Sequence, residues 1–513
     1  MGYLLGFDVG TTGTKALLID ETGKIVARAT VEYPLSTPRP NWAEQDPSDW
    51  WQATIQATGR VLAEADISGE QVDAVGLSGQ MHGSVFLDGT DEVIRPAILW
   101  CDQRTAAQCA WITETVGETD LIKETCNPVL TGFTAPKIIW LRQNEPENYA
   151  RLRKVLLPKD YIRFKLTGEY ATEVSDASGT SLLNVPERRW SQLILDRIDL
   201  PLEFLPQVYE SSEITGTITS EAAQLTGLSA GTPVVGGGGD QAAGAVGNGI
   251  VETGVVSSTT GTSGVVFAYL DEPLMDEQLR THTFCHAVPG KWHVMGVMLS
   301  AGGSLRWLRD TLCAAEQAVA RTTSRDPYEY MTAAAGTVPP GSEGLVFLPY
   351  LTGERTPYPN PNATGVFFGL TLRHTKAHII RAVMEGVAFG LRDSFEIIKQ
   401  MGVELTQVRA SGGGARSKLW RQIQADITGQ AHCTINVDEG PAFGVALLAG
   451  VGVGVYNSVA EACRVTINVV DELAPDAQRQ QSYEGYYQLY QQLYQQLAGS
   501  FEVRGQLVAE SVL

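Results

Sequence analysis

The stretch Gly6–Lys15, GFDVGTTGTK, sets an aspartate just ahead of a glycine and threonine turn that closes on a lysine. Its flanks, Tyr3-Leu4-Leu5-Gly6-Phe7 and Ala16-Leu17-Leu18-Ile19, are apolar runs of strand length, so the stretch predicts a β-hairpin. The tip would expose backbone N–H groups, the hydroxyls of Thr11, Thr12 and Thr14, and the Lys15 ammonium, all of them donors suited to phosphate oxygens. Glycine and threonine also populate surface turns for conformational reasons alone, so one such tip does not establish a ligand.

Working outward, Thr11-Thr12-Gly13-Thr14 recurs as Thr259-Thr260-Gly261-Thr262, close to half the 513-residue chain further on. The second copy also lies between strand-like runs, Gly254-Val255-Val256 and Val265-Val266-Phe267-Ala268. A shared strand, turn and strand context points to a duplicated architecture with two facing phosphate-binding hairpins. Strands alternate with helical patterns throughout, which is α/β. Asp46 and Pro47 can open a helix with Asp49 in its first turn. From about His378 to Met401, Ile379, Val383, Val387 and Leu391 share one helical face, while Gly386 and Gly390 share another and allow close packing.

Length and charge narrow the function. A chain of this size predicts about two to four domains, and 43% hydrophobic residues suffice for burial. With 38 basic against 58 acidic residues, the formal net charge of −20 repels nucleic acid and anionic membrane. A phosphorylated ligand would need local donors or a metal ion. The seven cysteines (101, 109, 126, 285, 313, 433 and 463) are scattered without a CxxC, which suggests neither a zinc site nor a disulfide framework. The first residues read as a strand rather than a signal peptide, and a cytoplasmic protein is the expectation. The most apolar stretch, Ala442–Tyr456, is shorter than a membrane span and holds four glycines, so it reads as a buried, closely packed helix and turn.

Four further strings carry chemistry. In VVGGGGDQAAGA at 234–245, Asp240 stands between a glycine turn and a helix start, where it is either a general base or a helix N-cap. In SGGGARSKLW at 411–420, a third glycine turn precedes a helix on which Leu419, Ile423 and Ile427 recur every four residues. No GxxxxGK[ST] occurs, which excludes a Walker-type P-loop. LSGQMHGSV at 77–85 sets His82 after a strand, and WCDQR at 100–104 supplies an acid and a base that either pair together or face a polyol. His282, His286 and His293 lack partners at metal-ligand spacing.

In this order, from Leu5 to about Leu497, the strings resemble the FGGY carbohydrate kinases of the actin/hexokinase-like superfamily. Both family signatures stand in register: GFTAPKIIWLRQN at 132–144, and GVFFGL at 365–370 followed by HIIRAVME at 378–385. The resemblance implies duplicated ribonuclease H-like domains with a cleft between them, divided as residues 1–246 and 247–513. It also implies phosphorylation of a sugar by ATP with Mg²⁺. QMHG is the family's xylulose-type string, which implies D-xylulose and its 5-hydroxyl. By resemblance Asp240 is the base and Asp8 holds Mg²⁺, while Met81, His82, Gln241, Trp100 and Asp102 line the sugar site. Thr11, Thr12, Lys15, Gly261 and Thr262 would meet phosphates, and Gly302, Gly413, Gly414 and Ser417 the nucleoside. Gln241 departs from the Asn of some xylulose-specific members, so ribulose, gluconate and glycerol stay open as substrates. So does an actin-like nucleotide-driven structural protein. The implied partners are a small sugar and ATP, with a homodimer left open.

Overall fold

In the computed structural model, which describes residues 2–512, Tyr3–Val9 (β1) and Gly13–Asp20 (β2) form the expected antiparallel hairpin, Asp8 opposite Lys15. Ile25–Glu32 (β3) continues it antiparallel, and Val72–Gly79 (β4) lies parallel to β1 on the other side. Ile214–Thr217 (β5) and Pro233–Val235 (β6) complete the order β5-β6-β4-β1-β2-β3, with the two-residue strand Gly238–Gly239 also pairing with β4. β1 is buried along most of its length, as a strand covered on both faces requires.

The second half repeats the plan. Gly254–Thr260 (β7) and Gly264–Leu270 (β8) form a hairpin, joined by His282–Cys285 (β9), Trp292–Met298 (β10), Leu405–Ser411 (β11), His432–Ile435 (β12) and Val469–Leu473 (β13). The order is β9-β10-β8-β7-β11-β12-β13. In each sheet the hairpin has an antiparallel strand on one side, β3 or β10, and a parallel one on the other, β4 or β11. The duplication holds, but the letters that suggested it are out of step. Thr11 and Thr12 lie beyond the end of β1, whereas Thr259 and Thr260 are the last residues of β7. The equivalent pairs by position are Gly10-Thr11 and Gly261-Thr262, each starting one residue past the strand.

The main helices are Pro47–Ala65 (α1), Asp240–Gly247 (α2), Gly302–Leu312 (α3), Pro327–Ala335 (α4), Lys376–Gln400 (α5), Lys418–Thr428 (α6), Gly440–Gly452 (α7) and Ala477–Val512 (α8). α1 starts as expected, with Asp46 accepting from the Ser48 N–H and Pro47 in the first turn, a cap that contributes about 1 kcal/mol. α5 is buried along most of its length, and Gly386 lies against the Phe347 carbonyl, so its glycines serve core packing.

After β12 the chain returns to the first half as α7. This is the apolar stretch of the sequence, and it packs on β1, β4 and α2. A Cβ on Gly444 would meet the Ala243 carbonyl at 1.9 Å, and one on Gly6 the Ala442 carbonyl at 2.0 Å, so backbone touches backbone where the halves join. Leu4, Leu17, Ile19 and Ala74 of the first half share one core with Phe443, Val445 and Leu447 of α7. The seven cysteines are all free thiols. Among the described residues no helix is long and apolar enough to cross a membrane.

Candidate active site

Where the halves meet, a cavity of about 270 Å³ is lined from the first half by Lys15, Asp240 and Gln241 and from the second by Ser411, Gly412 and Glu439. Asp240 is the first residue of α2, and the N-cap position belongs to Gly239, which has no side chain to cap with. The Asp240 carboxylate accepts from the Gln241 backbone N–H and side-chain amide. Burial, and then the charge of Asp8, push its carboxyl up to about 7. Asp8 is raised to about 6 by burial, with Lys15 opposing the shift, and its Oδ1 is buried with no hydrogen-bond partner among the described residues. The two carboxyls stand close enough that the charge of Asp8 disfavours ionisation of Asp240. Lys15 is already engaged: its Nζ lies 3.3 Å from Glu439 Oε2, and Arg28 pairs with the other oxygen of the same carboxylate.

The second hairpin opens on a larger cavity of about 840 Å³ that brings together Gly261, Thr262, Gly302, Gly413, Gly414 and Ser417, residues from three separate places in the chain. Backbone bonds tie the tip to the start of α3, from Ala301 N–H to the Thr262 carbonyl (2.9 Å) and from Gly302 N–H to the Gly261 carbonyl (2.7 Å). Ser417 caps α6 by accepting from the Trp420 N–H at 3.2 Å, so its hydroxyl shapes the wall and is partly spent there. The sequence reading missed the opposite wall, made by Leu305 and Arg306 of α3 and by Tyr328, Thr332, Ala333 and Gly336 on and just after α4. A signal was present: Tyr328, Thr332 and Gly336 recur every four residues, which puts them on one helical face.

The QMHG string turns off the end of β4, and His82 takes a left-handed backbone with φ 68°. Its Nδ1 is 2.8 Å from the Gly179 carbonyl and therefore carries the proton, which leaves Nε2 as an acceptor without a partner among the described residues. Burial, then the Lys137 ammonium, lower its pKa to about 3, so the ring is neutral. It leans on Phe133 with ring centroids 4.6 Å apart, and its carbonyl accepts from Lys137 Nζ at 2.8 Å and Thr134 Oγ1 at 3.1 Å. The first signature string thus acts as the support under His82. Met81 is buried and lies beside the glycine loop, so that a Cβ on Gly239 would meet it at 3.0 Å. Trp100 is half exposed and donates from Nε1 to Thr11 Oγ1 at 3.0 Å. Asp102 corrects the expectation that it faces a polyol. It is fully buried, takes the Arg104 guanidinium in two places and accepts from the Ala43 N–H, so its oxygens are spent on protein. Among the described residues no cluster of His, Cys, Asp or Glu is arranged to hold a metal ion by itself.

Two sheets with facing hairpins, a carboxylate at a helix start between them and a nucleoside-sized cavity on one side define a two-domain kinase of the actin/hexokinase-like fold. The N-terminal domain of the FGGY family of carbohydrate kinases matches residues 3–247 and its C-terminal domain residues 256–453. The chain belongs to that family. It is 43% identical over 481 residues to the xylulose kinase of Escherichia coli (strain K12), covering 94% of this chain and 96% of that one. To the xylulose kinase of Bacillus subtilis (strain 168) it is 37% identical, covering 94% and 95%. The crystal structure of a xyloylose kinase from Brucella ovis superposes with a TM-score of 0.88 at 38% identity, covering 97% of this chain and 99% of that one.

Proposed function

We propose that this protein transfers the γ-phosphoryl group of ATP to the 5-hydroxyl of D-xylulose, giving D-xylulose 5-phosphate and ADP, with Asp240 receiving the hydroxyl proton. The observation that carries the reading is Asp240 itself, a carboxylate at the start of α2 that lines the cavity where the two halves meet. A hydroxyl oxygen bonding to phosphorus must lose its proton, and a carboxylate in reach both aligns the hydroxyl and takes that proton. Met81 and His82 stand on the sugar side, where the neutral Nε2 accepts from a sugar hydroxyl. Gln241 lines the cavity beside Asp240, and Trp100 reaches the first hairpin tip through Thr11.

The nucleoside of ATP fits the larger cavity against α4 and α6, with its phosphates running over Gly261 and Thr262 toward Thr11 and Thr12. Lys15 reaches the transferring group when it leaves Glu439. A magnesium ion fits the residues present, because Asp8 Oδ1 is a buried oxygen on the first hairpin, unpaired among the described residues. Asp8 would hold it through water, and the ion would neutralise charge on the phosphates. Free thiols and dependence on ATP both suit the cytoplasm.

The test is ADP release with D-xylulose, D-ribulose, gluconate and glycerol offered separately. The expected result is the highest kcat/KM with D-xylulose. Preference for another of these would reassign the QMHG string, and ATP hydrolysis that no sugar stimulates, accompanied by polymer scattering, would favour a structural protein.

A further inference from the structure

Beneath the glycine run that presents Asp240, five ionisable side chains are buried without solvent contact: Lys159, Asp160, Arg163, Glu173 and Asp176. Lys159 Nζ lies 2.7 Å from Asp160, 3.3 Å from Asp176 and 3.5 Å from Glu173, and Arg163 lies 2.7 Å from Asp160. Burial, opposed by Lys159 and reinforced by Asp160 and Glu173, holds the Asp176 carboxyl well above the usual range. Such clusters add little net stability, because desolvation offsets the attraction. Their local contacts are therefore the more informative feature.

Those contacts converge on the glycine run. Arg163 donates to the Gly236 carbonyl, and the Gly237 N–H donates to the Ser211 carbonyl at 2.8 Å. The Gly239 N–H donates to Ser175 Oγ at 3.1 Å. Both serine hydroxyls donate in turn to Glu173, Ser175 at 2.9 Å and Ser211 at 3.0 Å. The loop has no side chains with which to fix itself. Gly237 has φ +70°, and a Cβ there would meet the Leu77 carbonyl at 1.9 Å. The segment that carries Glu173 and Ser175 also carries Gly179, whose carbonyl holds His82 Nδ1. One short piece of chain therefore fastens the residue before the base at one end and the sugar-side histidine at the other.

We propose that Glu173 and Ser175 are positioning residues for phosphoryl transfer: the Glu173 carboxylate orients the Ser175 hydroxyl, which holds the Gly239 N–H and sets where the Asp240 carboxylate stands relative to His82. The proposal rests on Asp240 being the base. It predicts an effect on turnover and none on nucleotide binding, because neither residue borders the larger cavity. A small displacement of a reacting group can cost about 100-fold in rate, so a loosened Gly239 lowers kcat without unfolding the protein.

The experiment is a double-mutant cycle of Ser175→Ala and Asp240→Asn, with Ser175→Thr as the variant that keeps the hydroxyl. Expected are a kcat lower by about 10- to 100-fold in Ser175→Ala, an unchanged ATP KM, recovery of most of the rate in Ser175→Thr, and no further loss when Ser175→Ala is added to Asp240→Asn. Full activity in Ser175→Ala would overturn the proposal. So would an equal added loss in the Asp240→Asn background, which would mark a role independent of the base. If Asp240→Asn alone keeps its turnover, the reading of the base fails instead, and the two failures are told apart within one data set.

Discussion

The two hairpins share a plan and differ in what surrounds their tips. At the first, Thr11 Oγ1 donates to Gln80 and accepts from Trp100, the Thr11 carbonyl accepts from Gln45, and Lys15 is tied to Glu439 of the other half. At the second, backbone bonds to the start of α3 hold the tip, while Thr262 is exposed and lines the 840 Å³ cavity, its hydroxyl without a partner among the described residues. The first tip also has a backbone bond, from Tyr33 N–H to the Thr12 carbonyl (3.3 Å), but its Thr11 hydroxyl is held by side chains that can exchange for a ligand. A tip held by backbone is a fixed wall. On the proposed reading, nucleotide binding belongs chiefly to the second half and the transfer step to the first, where Asp8 and Asp240 stand.

The largest effect that would break this division is at Asp240. Asp240→Asn keeps the shape and a hydrogen-bonding group, and kcat should fall by about 10² to 10⁴ with the circular dichroism spectrum unchanged. Turnover near that of the unmodified protein would remove the base from the account. Next comes Asp8→Asn, for which a titration of activity against Mg²⁺ should shift to about 10- to 100-fold higher metal, while an unshifted curve would place the metal elsewhere. Ala333→Trp fills the larger cavity from an exposed position on α4. Its ATP KM should rise about tenfold, equivalent to about 1.4 kcal/mol of lost binding, with the sugar KM unchanged.

The pH dependence sharpens the same contrast. With the Asp240 carboxyl near 7 and Asp8 near 6, kcat/KM should decline about tenfold per unit below pH 7 and more steeply below pH 6, and in Asp240→Asn only the Asp8 limb should remain. Both folded pKa values lie above the unfolded value of 3.8. The folded state therefore holds protons that the unfolded chain releases, and these groups make the fold less stable as pH rises from about 4 to 7. A thermal unfolding series of the unmodified protein and Asp240→Asn would show the difference. The smallest effect is expected of Glu439→Gln. Its partners Lys15 and Arg28 are partly to largely exposed, so screening keeps the lost stability below about 1 kcal/mol. A freed Lys15 should leave the melting temperature nearly unchanged.

Much of this was legible in the sequence because hairpins, caps and glycine turns are local. Asp46 and Pro47 marked the start of α1, and the strand-length runs around Gly10 and Gly261 gave both hairpins. The repeated four letters revealed the duplication while misaligning it, since a threonine serves equally in a strand end and in a turn. Asp102 was misread because its choice between Arg104 and a polyol depends on burial. The wall of α4 and the support that Glu173 and Ser175 give to Gly239 were missed for a related reason. Each depends on a tertiary neighbour far away in sequence, and local pattern carries no information about it.

The division of labour between the hairpins is tested most directly by calorimetric titration of a non-hydrolysable ATP analogue with Mg²⁺ into Thr11→Val and Ala333→Trp in parallel. The account predicts that Thr11→Val binds the analogue as the unmodified protein does although its turnover is impaired, and that Ala333→Trp binds about tenfold more weakly. Loss of affinity in Thr11→Val as great as that in Ala333→Trp would contradict it.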